Sequence, residues 1–63
     1  MVTDTCMRSC LISNHVLQMY IDPIVNQALQ ATSASNLQTR LQQIGIPGNY
    51  INIALQCYNQ CSR

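Results

Sequence analysis

Four cysteines are the residues of this 63-residue sequence whose type and spacing suggest covalent chemistry. They form two pairs near the two ends of the chain, Cys6 with Cys10 and Cys57 with Cys61. Residues four apart on an α-helix lie on the same face, one turn from each other. Each pair is therefore expected to occupy two successive positions along one edge of a helix, facing a second helix.

Antiparallel packing of the first and last helices determines which sulfurs meet. It places the outer cysteines opposite each other and the inner cysteines opposite each other, which predicts the disulfides Cys6–Cys61 and Cys10–Cys57. A parallel arrangement would pair Cys6 with Cys57 and Cys10 with Cys61, and it is the less favoured alternative. Bridging within a pair is unfavourable, because Cα atoms four apart on a helix lie near the upper distance limit for a disulfide.

A zinc ion held by four thiolates is another arrangement of the same sulfurs. Structural zinc sites prefer CX2C turns, which direct both sulfurs at one point, and a helical CX3C pair does this less well. Four cysteines in a short chain are also typical of a disulfide framework. We therefore predict disulfides, with no metal and no cofactor.

Two CX3C pairs on antiparallel helices resemble the small translocase chaperones of the mitochondrial intermembrane space. The resemblance rests on Cys6, Cys10, Cys57 and Cys61 alone. That family joins its pairs by a short loop, whereas residues 11–56, a span of 46 residues, separate the two pairs here. Secreted two-helix toxins use cysteines in the same way, again with shorter loops. A protein of the intermembrane space remains a minor alternative.

The charged residues offer little catalytic chemistry. The chain has no Lys and no Glu, and its net charge is +1. The predicted helices place acidic residues at helix starts and most basic residues near helix ends, where the helix dipole favours each sign, and Arg8 is expected to be solvated. His15, the single histidine, has no spare cysteine to activate, and we expect it to be a partly buried packing residue. We predict that the protein is not an enzyme. The charges are Asp4, Arg8, Asp22, Arg40 and Arg63.

The low charge also limits the partners that the chain can recognise. Nucleic-acid binding requires clustered Lys and Arg, and a cationic membrane-active peptide requires a basic face. No apolar run is long enough to span a bilayer. The expected partner is a protein or a second copy of this chain, and a small apolar ligand is less favoured.

Hydrophobic periodicity predicts a single domain, residues 1–63, with no strand and no internal repeat. The first helix is predicted from about Asp4 to Tyr20. The pair Asp22–Pro23 then predicts the start of a second helix, because proline is favoured at the first helical position. The predicted fold is a compact all-α bundle of four short helices, with the terminal helices joined antiparallel by two disulfides. A chain of this length buries only a small core, so its stability is expected to depend on these cross-links.

The second half of the chain carries clearer boundary signals. Ser35 with Gln38 fits a capping box and predicts the start of a third helix. Gly45 predicts a left-handed helix end, with Ile46 packing back on the helix in a Schellman motif. A fourth helix is then predicted to begin between positions 47 and 49.

The function predicted from these features is that of a secreted, extracellular protein that acts by binding. The first expectation is an effector such as a toxin, a pheromone or a signalling polypeptide. The alternatives are a self-associating structural module of a secreted material, and a small carrier of lipid or another apolar ligand. Methionine and tyrosine are adaptable contact residues, so the predicted contact surface comprises Met7, Met19, Tyr50 and Tyr58.

Overall fold

A computed structural model describes residues 1–63 and contains four α-helices and no strand. The helices are α1 (Asp4–Ser13), α2 (Gln18–Gln30), α3 (Ala34–Gln43) and α4 (Gly48–Cys61). α1 packs against α2 and α4, and α3 packs against α4 and α2. The predicted four-helix bundle is confirmed, and α1 and α4 are antiparallel neighbours joined by two disulfides.

The end of α1 is set by a residue with left-handed backbone geometry. His15 has a φ of 61°, and the N–H of the following Val16 donates to the carbonyl of Leu11 at 3.1 Å. This hydrogen bond to the carbonyl five residues earlier is the Schellman arrangement, which satisfies a helix-end carbonyl and reverses the chain. His15 is exposed, so the prediction of a partly buried packing histidine is wrong.

The first helix is therefore shorter than predicted, and the second begins earlier. The prediction of one helix up to Tyr20 is wrong, because the chain turns at His15 and α2 starts at Gln18. Pro23 lies inside α2, at its sixth position, and does not begin it. Proline is costly in a helix interior because it lacks an N–H and crowds the carbonyl four residues earlier. Here the burial of Ile21 and Ile24, on either side of Pro23, outweighs the cost of proline inside the helix.

The end of α3 follows the predicted pattern. Gly45 has a φ of 80°, and the N–H of Ile46 donates to the carbonyl of Leu41 at 3.0 Å. Ile46 and Leu41 are both buried in the core. The Schellman motif predicted at this corner is confirmed.

Hydroxyl side chains begin α1 and α3. Thr3 Oγ1 accepts the N–H of Cys6 at 3.2 Å, and Ser33 Oγ accepts the N–H of Asn36 at 3.1 Å. Each satisfies one of the free amides of a first helical turn. The predicted capping box at Ser35 is wrong, since the cap lies two residues earlier.

The fold repeats itself after thirty residues. α1 begins at Asp4 and α3 at Ala34, and α2 begins at Gln18 and α4 at Gly48. The prediction of no internal repeat is therefore wrong for the structure. The two halves, hairpin 1 (α1–α2) and hairpin 2 (α3–α4), share the cap, the left-handed corner and most of the buried positions. The core pairs thirty apart are Met7 with Leu37, Leu11 with Leu41, Val16 with Ile46, Ile21 with Ile51, and Ile24 with Ala54.

An aromatic pair marks where the two hairpins meet. Tyr20 and Tyr50 are also thirty residues apart, and their ring centroids lie 5.3 Å from each other with planes tilted by 55°. Tilted aromatic pairs at this distance are stabilising beyond the area that they bury. A contact between equivalent residues is what a pseudo-two-fold axis between the hairpins produces, so we place that axis beside these rings.

Candidate functional site

Two disulfides connect α1 with α4. Cys6–Cys61 has a Cα–Cα distance of 5.8 Å, and Cys10–Cys57 has one of 5.7 Å. Both distances are ordinary for a disulfide. The predicted antiparallel pairing is confirmed, the parallel pairing is wrong, and all four sulfurs are bonded, so no thiolate remains for zinc.

The two ends of each bridge differ in their environment. Cys57 and Cys61 on α4 are buried, whereas Cys6 and Cys10 on α1 are partly exposed. Cys57 and Cys61 thus belong to the core, and Cys6, Cys10 and Cys61 line an open groove of about 550 Å³. The groove also has hydroxyl and amide walls, from Thr3, Thr5, Ser9, Ser13, Asn14 and Gln60.

An ion-pair network joins α1 to α2. Arg8 Nε donates to Asp4 Oδ1 at 2.7 Å, and Arg8 Nη1 donates to Asp22 Oδ1 at 2.5 Å. These hydrogen bonds, with Asp4 the larger contributor and Asp22 the second, raise the pKa of the Arg8 guanidinium above its ordinary value. Arg8 remains partly exposed to solvent, and in addition its guanidinium is paired with two carboxylates, which the sequence did not predict. Both acidic residues of the chain are engaged by this one cation.

A different polar network joins α2 to α3, at the interface equivalent to α4–α1. Arg40 Nη1 donates to Gln27 Oε1 at 3.2 Å, and Arg40 Nε donates to Asn36 Oδ1 at 3.1 Å. Arg40 and Gln27 occupy the positions thirty residues from Cys10 and Cys57. A hydrogen bond in one half of the molecule therefore corresponds to a disulfide in the other.

The structure places the four predicted contact residues in different environments. Met7 is completely buried, so it is a core residue and is unavailable to a surface. Met19 is 71% exposed. Tyr50 is half-buried against Tyr20, and Tyr58 is half-buried with its hydroxyl donating to the carbonyl of Ala31 at 3.4 Å. The structure does not bring these four side chains into one surface.

Met19 instead lies beside side chains that were not predicted to share a surface with it. An open groove of about 500 Å³ runs between the start of α2 and the α3–α4 corner, and we call it the Met19 groove. Ile44 at that corner is 44% exposed although it is large and apolar. The groove is lined by Met19, Tyr20, Pro23, Ile44 and Ile46, together with Asp22, Asn26 and Gln27.

The Met19 groove was not predicted from the sequence because the predicted boundaries of the first two helices were wrong. Assigning Met19 and Tyr20 to the end of the first helix placed them far from the α3–α4 corner. Once α2 begins at Gln18, both residues lie in its first turn. The thirty-residue offset then relates Met19 to Asn49 and Ile44 to Asn14, and the spacing of Tyr20 and Tyr50 is a weak trace of that offset in the sequence.

A third open depression, of about 530 Å³, lies between the N-terminus and α2, lined mainly by Met1, Val2, Ala28, Leu29, Ala31 and Tyr58. No group of three or more His, Cys, Asp or Glu side chains lies close enough to bind a metal ion. None of the helices has the length and hydropathy needed to cross a bilayer.

Comparisons with protein-family models, with curated proteins and with solved structures find no match to this chain.

Proposed function

We propose that this chain is a secreted, non-enzymatic protein that acts by binding, as an extracellular effector such as a toxin, a pheromone or a signalling polypeptide. The observation that carries the proposal is the covalent connection of α1 to α4 through all four cysteines. Disulfides form and persist in oxidising compartments, and small secreted domains depend on them. A cross-linked fold also remains intact at the high dilution at which an effector acts.

The second support is the surface that this cross-linked fold presents. Large apolar side chains are exposed at its helix corners, among them Met19, Leu17 and Ile12. Exposed apolar side chains next to grooves are features of interaction sites. The exposed apolar residues of this chain lie on a scaffold whose ends cannot separate, which keeps a binding surface ordered before a partner arrives.

Fractionation of the source tissue tests the location. The protein is measured by targeted mass spectrometry in extracellular fluid, cytosol and the mitochondrial intermembrane space, after rapid alkylation of free thiols. We expect the fully bridged form in extracellular fluid. Enrichment in the intermembrane space would favour the twin CX3C alternative, and a reduced cytosolic protein would contradict secretion.

Binding to intact cells tests the effector role. The labelled, folded protein is expected to bind saturably and to be displaced by unlabelled protein. The matched control is the same chain after reduction and alkylation, which keeps its composition and loses its cross-links. Equal binding by both forms would show that the folded surface is not recognised, and this would contradict the proposal.

The carrier alternative receives less support from the geometry. A carrier of a lipid requires an enclosed apolar cavity of roughly 300 Å³ or more. The three depressions of this molecule are open to solvent, and its centre is filled by buried side chains. We expect no fatty acid or sterol to bind with one-to-one stoichiometry and micromolar affinity in calorimetry, and such binding would favour a carrier.

A further inference from the structure

The internal repeat supplies a comparison surface for the Met19 groove within the same molecule. The thirty-residue offset between the hairpins relates each position in this groove to a position in the other hairpin. Where the Met19 groove has Met19 and Ile44, the equivalent positions hold Asn49 and Asn14. All four residues are exposed. The fold therefore accepts asparagine at both kinds of rim position, so Met19 and Ile44 are not required by the helix corner itself.

Asn14 shows what the polar version of the rim does. It is the C-cap of α1, and its side-chain Nδ2 donates to the carbonyl of Cys10 at 2.8 Å. Ile44 is the C-cap of α3 and contributes no such hydrogen bond. The apolar residue at this position thus forgoes a helix-end hydrogen bond and exposes hydrocarbon to water. A surface that lacks this hydrogen bond and exposes apolar side chains beside a groove is expected to be covered by another apolar surface.

We propose that the Met19 groove is a docking site for a second copy of this chain, which forms a reversible homodimer. Charge favours this occupant. The only charged residue in the groove is Asp22, and Arg8 of the same molecule already neutralises it. With a net charge of +1 and a sequence pI of about 7.7, two copies repel each other little near neutral pH.

The shape of the face also suits pairing with itself. Met19 projects into solvent beside a depression, so a two-fold dimer places the methionine of each copy against the groove of the other. Methionine is flexible and adapts to such a site. This pairing is independent of where the protein acts, and it goes beyond the proposed effector role.

The size of the molecule limits the strength of the dimer. Its extents are 26 × 23 × 16 Å, so even its broadest face measures no more than about 600 Å². A symmetric contact over part of such a face buries on the order of 1,000 Å² in total, which is the range of weak, transient interfaces. We expect a dissociation constant between roughly 10 µM and 1 mM, and a monomer at nanomolar concentration.

Sedimentation equilibrium between 10 µM and 1 mM at pH 7.5 tests the dimer. The double variant Met19→Asn/Ile44→Asn copies the residues at the equivalent positions of the other hairpin, Asn49 and Asn14, so it is designed to keep the fold, and circular dichroism checks that it does. We expect the wild type to dimerise and this variant to dimerise at least tenfold more weakly. Because few charges are involved, 1 M NaCl should leave the wild-type dimer unchanged or strengthen it.

The matched control removes two exposed apolar residues elsewhere in the same way. Ile12→Gln and Leu29→Asn also copy the residue thirty positions away, Gln42 and Asn59, and neither lines the Met19 groove. This variant should dimerise like the wild type. The proposal is overturned by a wild-type monomer at 1 mM, or by equal weakening in both variants. A dimer that dissociates only on reduction also overturns it, since that result indicates disulfides between chains.

Discussion

At the residue scale, the two helix corners of the molecule differ in the residue that adopts the left-handed backbone conformation. His15 and Gly45 occupy equivalent left-handed positions, with φ of 61° and 80°. Glycine adopts this conformation freely, whereas a side chain makes it cost about 1–2 kcal/mol. The corner at Gly45 was predictable for that reason. The corner at His15 was not, because no glycine marks it and the apolar residues on either side of it resemble one continuous helix.

Substitutions at the two corner residues, His15 and Gly45, test this difference. His15→Gly is expected to stabilise the fold by about 0.5–1 kcal/mol, because relief of backbone strain exceeds the added entropy of the unfolded chain. Gly45→Ala is expected to destabilise it by about 1 kcal/mol. No atom lies within 4 Å of the Cβ that the Gly45 change adds, so its cost is conformational.

Thermal unfolding of both variants followed by circular dichroism measures these effects. The midpoint should rise by roughly 4–8 °C for His15→Gly and fall by a similar amount for Gly45→Ala. A lower midpoint for His15→Gly would mean that the histidine side chain makes a contact that outweighs its backbone strain.

At the element scale, the molecule consists of two equivalent hairpins joined by different chemistry on their two sides. Between α1 and α4 the link is a pair of disulfides, and between α2 and α3 it is the hydrogen bond from Arg40 to Gln27. The helix number and the cysteine pairing were predictable from sequence, because helical spacing and antiparallel geometry determine them. The repeat was not, since few positions keep the same residue and hairpin 2 lacks cysteines at the positions equivalent to Cys6 and Cys10.

Moving a disulfide from one interface to the other tests the equivalence of the hairpins. The inner bridge is removed by Cys10→Ser and Cys57→Ser, and Gln27→Cys with Arg40→Cys introduces two cysteines at the equivalent positions. We expect the new cysteines to bond with each other on oxidation, because they occupy the positions thirty residues from the native pair and the side chains now at those positions already contact each other. Peptide mapping of the oxidised protein detects the bridge.

The control for the moved bridge carries Gln27→Cys alone in the same background. It should retain one free thiol and the native Cys6–Cys61 bond. Two free thiols in the full variant, or bonding of the new cysteines to Cys6 or Cys61, would contradict the equivalence of the two interfaces.

At the scale of the whole molecule, a small core and two cross-links together make the fold stable. The accessible surface is 3808 Å², close to the roughly 4,100 Å² expected for a folded protein of 7.1 kDa. The chain is therefore as compact as a folded protein of its size, yet a chain of this length buries only about 60% of its unfolded surface. The outer disulfide, with a sequence separation of 55, contributes about 4 kcal/mol by restricting the unfolded chain.

Reduction of the two disulfides should therefore lower the melting temperature by about 30 °C, because 4 kcal/mol is large against the unfolding entropy of so short a chain. Circular dichroism of the oxidised protein and of the reduced, alkylated protein measures the difference. The inner bridge adds less, since its loop is already closed by the outer one. A reduced chain with nearly the same midpoint would show that the core alone holds the helices together.

The most direct test of the account is disulfide mapping of the protein taken from its natural source. Free thiols are alkylated at once with a maleimide in denaturant at mildly acidic pH, where thiol–disulfide exchange is slow. Digestion with trypsin and chymotrypsin then cuts after Arg8, between the two cysteines of α1, and after Tyr58, between the two cysteines of α4. Each cysteine is left on its own peptide, and mass spectrometry identifies every linked pair without reduction.

This measurement addresses both the connection between α1 and α4 and the oxidising environment on which the proposed secretion rests. We predict two linked peptide pairs, Cys6 with Cys61 and Cys10 with Cys57, and no alkylated cysteine. Four alkylated cysteines, or linkage of Cys6 with Cys57, would contradict the account.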